Sequence, residues 1–136
     1  MINSRKIEDL TPEVQILCKK FIDSCAATGI DILITSTYRD KESQAALYAQ
    51  GRTTPGKVVT NAKAGYSYHN YHVAFDFVPI ENGKAMWNSL DVFRRCGKIA
   101  EELGLEWAGN WPGKFKEMAH CQLTGDKTIQ DYLKEA

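Results

Sequence analysis

The sequence predicts an α+β fold, a small and mostly antiparallel sheet packed with helices. Helix-period and strand-period segments are mixed along the chain without regular βαβ alternation. The strand-like segments are short and rich in β-branched or aromatic residues. The chain has 136 residues, enough for one domain with a real core and little room for a second. A single domain over residues 1–136, with no separate binding module, is therefore expected.

Thr11 and Pro12 open the first helix, Thr as N-cap and Pro at the first helical position. Val14, Leu17, Cys18, Phe21, Ile22 and Cys25 follow at helical spacing, and Gly29 closes the run. Residues 30–37 read as a strand. Asp40 caps a second helix through Gln44, Leu47 and Tyr48, which stops at Gly51. Residues 52–68 show no period. A loop of that length in a compact domain is often functional; the alternative is a disordered surface excursion. Residues 72–78 read as a strand ended by Pro79, and 81–84 as a turn. Asn88 is placed to cap a third helix, with Asp91 in its first turn. Its buried stripe is Val92, Phe93, Cys96, Ile99, Ala100 and Leu103, and Gly104 ends it. A short strand at 105–107, a loop at 109–116, a strand at 119–123 and a terminal helix at 128–135 complete the pattern.

Seventeen Lys and Arg balance 17 Asp and Glu. Zero net charge leaves no basic footprint for nucleic acid or an anionic surface. No apolar run approaches the roughly 20 residues of a membrane-spanning helix. Residues 1–10 are polar and lack the apolar core of a secretory signal, so synthesis and folding in the cytoplasm are expected. A monomer is also expected. The four cysteines, Cys18, Cys25, Cys96 and Cys121, form no CxxC pair. They read as small buried thiols of a reducing compartment. Cys121 adjoins His120, but neighbours on a strand face opposite ways, which argues against a Cys–His pair.

All three histidines fall in two short segments, Ser67 to Asp76 and Glu117 to His120. Imidazoles with a carboxylate are zinc-compatible ligands, and three protein ligands with a fourth position open describe a catalytic site. Such a metal brings the pKa of water to about 7, and a nearby carboxylate is then needed to take the proton. Asp76 sits between Phe75 and Phe77, where an unpaired buried carboxylate is costly. The competing reading is that period 2 turns Asp76 to solvent. His72, Ala74 and Asp76 share one strand face; Val73, Phe75 and Phe77 share the other. His69 has the wrong parity and must bend in from the preceding loop.

The stretch Ser67 to Asp76 resembles the SxHxxGxAxD signature of the D-Ala-D-Ala carboxypeptidase and L-alanyl-D-glutamate endopeptidase family of zinc peptidases. Glu117 to His120 resembles its second signature. Ser36-Thr37-Tyr38-Arg39, Gln44 to Tyr48 with Gly51-Arg52-Thr53, and Trp107 to Trp111 resemble the phage endolysin and bacterial autolysin branch. The match covers roughly residues 10–125. It implies a zinc site in a cleft at the sheet, with ligands His69, Asp76 and His120. It also implies Glu117 as general base and later acid, and Arg39 as the cation on the scissile carbonyl, a role suited to fixed guanidinium donors. Taken without the resemblance, Arg39 would read as a surface salt bridge to Asp40 or Glu42, and Glu117 as a solvated charge.

One position departs from the pattern: His72 stands where the signature has Gly, a residue that signals close packing or unusual φ/ψ. His72 would line the substrate cleft or compete for metal. Ser67 would contact substrate or hold the ligand loop, and Trp107, Trp111 and Tyr68 would wall the groove. Arg52, Lys57 and Lys63 could meet stem-peptide carboxylates, or simply be solvated. The activity expected is zinc-dependent hydrolysis of the peptidoglycan stem peptide at the L-Ala–D-Glu amide. The alternatives are a D-Ala-D-Ala carboxypeptidase or dipeptidase, and a non-catalytic zinc-binding wall-recognition domain, which would need neither Glu117 nor Arg39. A chain made in the cytoplasm without a signal would reach the wall through a separate, holin-type protein.

Overall fold

A computed structural model describes residues 1–112 and 116–135. The part of the 109–116 loop at 113–115 lies outside the described residues. Helix α1 spans Pro12–Ala27, and the Thr11 hydroxyl accepts from the Val14 N–H as the cap residue type predicts. Strand β1 is Asp31–Ser36, and α2 is Lys41–Ala49 with Asp40 accepting from Ser43 N–H. Strand β2, Ala74–Glu81, turns at Asn82-Gly83 into β3, Lys84–Ala85. Both turn residues have positive φ, 52° and 76°, as a two-residue hairpin requires. Helix α3 is Leu90–Glu102, β4 Glu106–Trp107, β5 His120–Gln122, and α4 Ile129–Glu135.

The strands form one sheet in the order β1-β2-β5-β4, with β3 added beside β2, and every pairing is antiparallel. Helices α1 and α3 cover one face. There Phe21 meets Phe75 and Phe77 at ring-centroid distances of 5.7 and 4.9 Å, and Phe77 meets Phe93 at 5.5 Å. All four cysteines are free and buried. Burial pushes the Cys18 thiol up to about 12, and that of Cys121 well above its ordinary value. These are core atoms rather than nucleophiles.

Two expectations about the elements need correction. Strand β2 does not end at Pro79; it runs to Glu81, with Pro79 opposite Ile32. The Pro79 carbonyl accepts from Met86 N–H, on the side away from β1. In an antiparallel strand a residue's N and O face the same neighbour, so the missing N–H removes no bond to β1. The residue before α3 is Ser89, not Asn88, and no side chain caps that helix end.

Candidate active site

The other face of the sheet is polar and open. Register sets Ser36 opposite Asp76 across β1 and β2, and Asp76 opposite His120 across β2 and β5. Three adjacent strands therefore line up hydroxyl, carboxylate and imidazole in one row. His69 arrives from a 3-10 turn, Tyr68–Tyr71, just before β2. The Ser67 hydroxyl accepts from His69 N–H, and the Asn70 side chain accepts from Ser67 N–H, a reciprocal cap that closes the turn. Asn70 also donates to the Arg39 carbonyl at 2.7 Å. Tyr132 of α4 stacks on Tyr71 at 4.8 Å and holds the turn from outside.

His69, Asp76 and His120 converge, their ligand atoms all within 4.8 Å of one another. Each imidazole has one nitrogen already committed. His69 Nδ1 donates to the Thr37 carbonyl at 2.8 Å, and His120 Nε2 donates to Gln122 Oε1 at 2.8 Å. This fixes opposite tautomers in the two rings. His69 Nε2 and His120 Nδ1 are left facing Asp76 Oδ1, each at 3.1 Å. Two lone pairs aimed at a carboxylate oxygen repel unless a proton or a metal cation lies among them. Burial opposes the charged form of Asp76, but the His69 and His120 imidazoles hold its carboxyl well below the usual carboxylate range. Burial likewise opposes the charged form of His120, and the Asp76 carboxylate overrides it and raises the imidazole. Two imidazole nitrogens and one carboxylate oxygen, with outer hydrogen bonds fixing each ring, form a donor set that fits a zinc ion.

The cluster lies in a cleft of about 670 Å³, walled by α2 and the 52–67 segment and lined by Arg39, Ser67, Tyr68, Trp111 and Glu117 among others. Glu117 Oε2 is 3.7 Å from His120 Nδ1, with the side chain 54% exposed. Arg39 is not a surface salt bridge: among the described residues no carboxylate pairs with it. Its Nη1 donates to Gln44 Oε1 at 2.9 Å and its Nη2 to Ser36 Oγ at 3.2 Å. Burial lowers the guanidinium pKa, against the pull of Asp76 and Glu117. Its buried Nε makes no hydrogen bond within the described residues.

Some candidates are placed elsewhere. His72 is not in the cluster and does not line the cleft. It adopts the left-handed conformation, φ 66° and ψ 20°, which accounts for Gly in the signature. Its ring stacks on Tyr38 at 3.9 Å, and its Nδ1 donates to the Asp9 carbonyl at 2.6 Å. Trp107 is not brought to the cleft either. It is 6% exposed, its Nε1 donates to the Met118 carbonyl, and its ring lies against Gly97 and Gly109. Trp111 does reach the site, 5.7 Å from the His120 ring. Arg52 staples its own loop, donating to the Tyr48 and Thr60 carbonyls and lying over the Tyr48 ring. Arg52, Lys57 and Lys63 are absent from the cleft lining.

Residues that sequence reading missed are supports. Gln122 carried a signal, since it lies two residues beyond His120 on the same strand face. Gln44 also carried one, a polar residue in the inward stripe of α2, where it is fully buried and donates to the Ala62 carbonyl at 2.7 Å. Thr37 acts through its backbone carbonyl, which no side-chain pattern reports. No helix among the described residues is long and apolar enough to cross a membrane.

The D-alanyl-D-alanine carboxypeptidase (VanY) family matches residues 7–118. The peptidoglycan L-alanyl-D-glutamate endopeptidase CwlK of Bacillus subtilis is 37% identical over 124 residues, covering 85% of this chain and 74% of that protein. An L-alanyl-D-glutamate peptidase of a Listeria phage is 31% identical over 125 residues, covering 90% of this chain but only 40% of the phage protein. The crystal structure of a vancomycin-resistance D,D-pentapeptidase, VanY, in complex with Zn(II) superimposes with a TM-score of 0.66 at 16% identity, covering 91% of this chain and 83% of that one.

Proposed function

Since the chain belongs to the D-alanyl-D-alanine carboxypeptidase (VanY) family, we propose that it is a zinc metallopeptidase that hydrolyses the L-Ala–D-Glu amide of the peptidoglycan stem peptide. The observation that carries this reading is the convergence of His69, Asp76 and His120 beside Glu117 and Arg39 in one cleft. The named activity of the 37%-identical relative supplies the bond. His69 Nε2, Asp76 and His120 Nδ1 would hold zinc. When bound, zinc supplies Lewis acidity, drawing electron density from nearby oxygens and acidifying water.

The chain's own groups do the rest. Glu117, at the cleft mouth, takes a proton from the attacking water on its carboxylate and returns it to the leaving D-Glu nitrogen. Arg39 donates to the scissile carbonyl oxygen as it gains negative charge, from a guanidinium already fixed by Gln44 and Ser36. Trp111 and Tyr68 bound the cleft against the peptide. Ser67 holds the turn that carries His69. With zero net charge, recognition rests on the cleft rather than on bulk attraction to the wall.

Digestion of defined peptidoglycan followed by mass analysis of the new termini tests the reading. New L-Ala carboxyl and D-Glu amino ends are expected. Release of free D-Ala would overturn the bond assignment in favour of a carboxypeptidase, the activity in the family's own description. Glu117→Ala should retain zinc and lose about 10²–10⁴-fold in rate; full activity in that variant removes Glu117 as the base.

A further inference from the structure

The family match begins at residue 7, yet residues before it pair with the segment that carries Arg39, and one of them, Asn3, lines the cleft. Ser4 N–H donates to the Tyr38 carbonyl and Thr37 N–H donates to the Ser4 carbonyl, both at 2.7 Å. Asp40 N–H donates to the Ile2 carbonyl at 3.0 Å. Residues 2–4 thus lie as an extra edge along residues 37–40, with Asn3 bridged antiparallel to Arg39. The Asn3 side chain lines the cleft. Its Oδ1 accepts from the Ser36 hydroxyl at 3.1 Å. The same Ser36 oxygen accepts from Arg39 Nη2 at 3.2 Å.

A hydroxyl has one hydrogen and two lone pairs. With that hydrogen given to Asn3, the lone pairs of Ser36 face the guanidinium, and each bond in the chain polarises the next. Without the Asn3 acceptor the hydroxyl is free to rotate, and Arg39 keeps a fixed partner only at Gln44. We propose that Asn3 is a positioning residue for Arg39, acting through Ser36. The inference rests on Arg39 serving the scissile carbonyl oxygen.

Removing an oxyanion donor outright costs about 10²–10³-fold, so loosening one should cost less. In the zinc-loaded enzyme, Asn3→Ala is expected to lower kcat about 3- to 10-fold with KM unchanged, the pattern of an interaction made only in the transition state. Ser36→Ala should fall further, and adding Asn3→Ala to it should cost nothing more, because the two act in series. Independent, multiplying losses, or a wild-type kcat in Asn3→Ala, would overturn the relay. A second arm needs no substrate. Solvent exchange of the Arg39 guanidinium protons, followed by nitrogen-edited NMR, should be several-fold faster in Asn3→Ala than in wild type; equal exchange rejects the proposal. If wild type cut no stem peptide, the functional reading would fail while the NMR comparison still decided the role of Asn3.

Discussion

The two faces of β2 are made by alternate residues of one strand, and they are held by different physics. On one face Phe75 and Phe77 are completely buried against α1 and α3. Dispersion and burial stabilise that face without any specific atom pairing. On the other, Asp76 meets two buried imidazoles whose free nitrogens point at it. Packing cannot stabilise that arrangement; it needs a positive charge among the three groups. The apolar face holds the fold and the polar face offers a donor set for a cation, and one residue of register slip would exchange them.

Four substitutions and one metal removal probe this division, beginning with the largest effect. Asp76→Asn should abolish both zinc binding and hydrolysis while the protein stays folded. Metal analysis with circular dichroism checks this, and a fully active variant would show that the carboxylate is not needed. Chelation of wild type should act the same way, reversed by added zinc. On the apolar face, Phe77→Ala should cost about 3–5 kcal/mol in denaturant unfolding, with the zinc content of the folded fraction unchanged. Loss of metal at equal foldedness would mean that the faces are coupled.

Gly97→Ala tests the packing around Trp107, since an added Cβ would lie 2.1 Å from its ring. A destabilisation of about 1–3 kcal/mol is expected, and the Trp107 Nε1 bond to Met118 would loosen the segment leading to His120. A wild-type melting curve would contradict the packing. The smallest effect should come from His72→Gly. It removes a left-handed non-Gly residue, worth about 1 kcal/mol, and also loses the bond to Asp9 and the Tyr38 stack, worth a similar amount. Zinc content and activity should be unchanged. Metal loss in His72→Gly would move that histidine into the site.

His69 and His72 show how far the sequence reaches. They lie three residues apart in one cluster, and parity favoured His72 as the companion of Asp76. The backbone reverses at His72 itself, through its positive φ, so the strand begins after it and its ring swings to Tyr38 and Asp9. The Gly of the signature marked that conformation, but a φ value does not say where a side chain goes. Trp107 and Trp111 divide in the same way: one is clamped between two glycines and the other stands in the cleft.

The sequence by itself determined the caps of α1 and α2, the apolar stripes, the α+β class and the two ligand-bearing segments. Each depends on residues within a few positions of one another, where propensity and periodicity act. The signature named His69, but only tertiary structure shows how it reaches Asp76, where Arg39 points, and that Asn3 lies beside Ser36. Those outcomes rest on strand register and on contacts such as His120 to Asp76, 44 residues apart, and no local pattern encodes a distance closed only by folding.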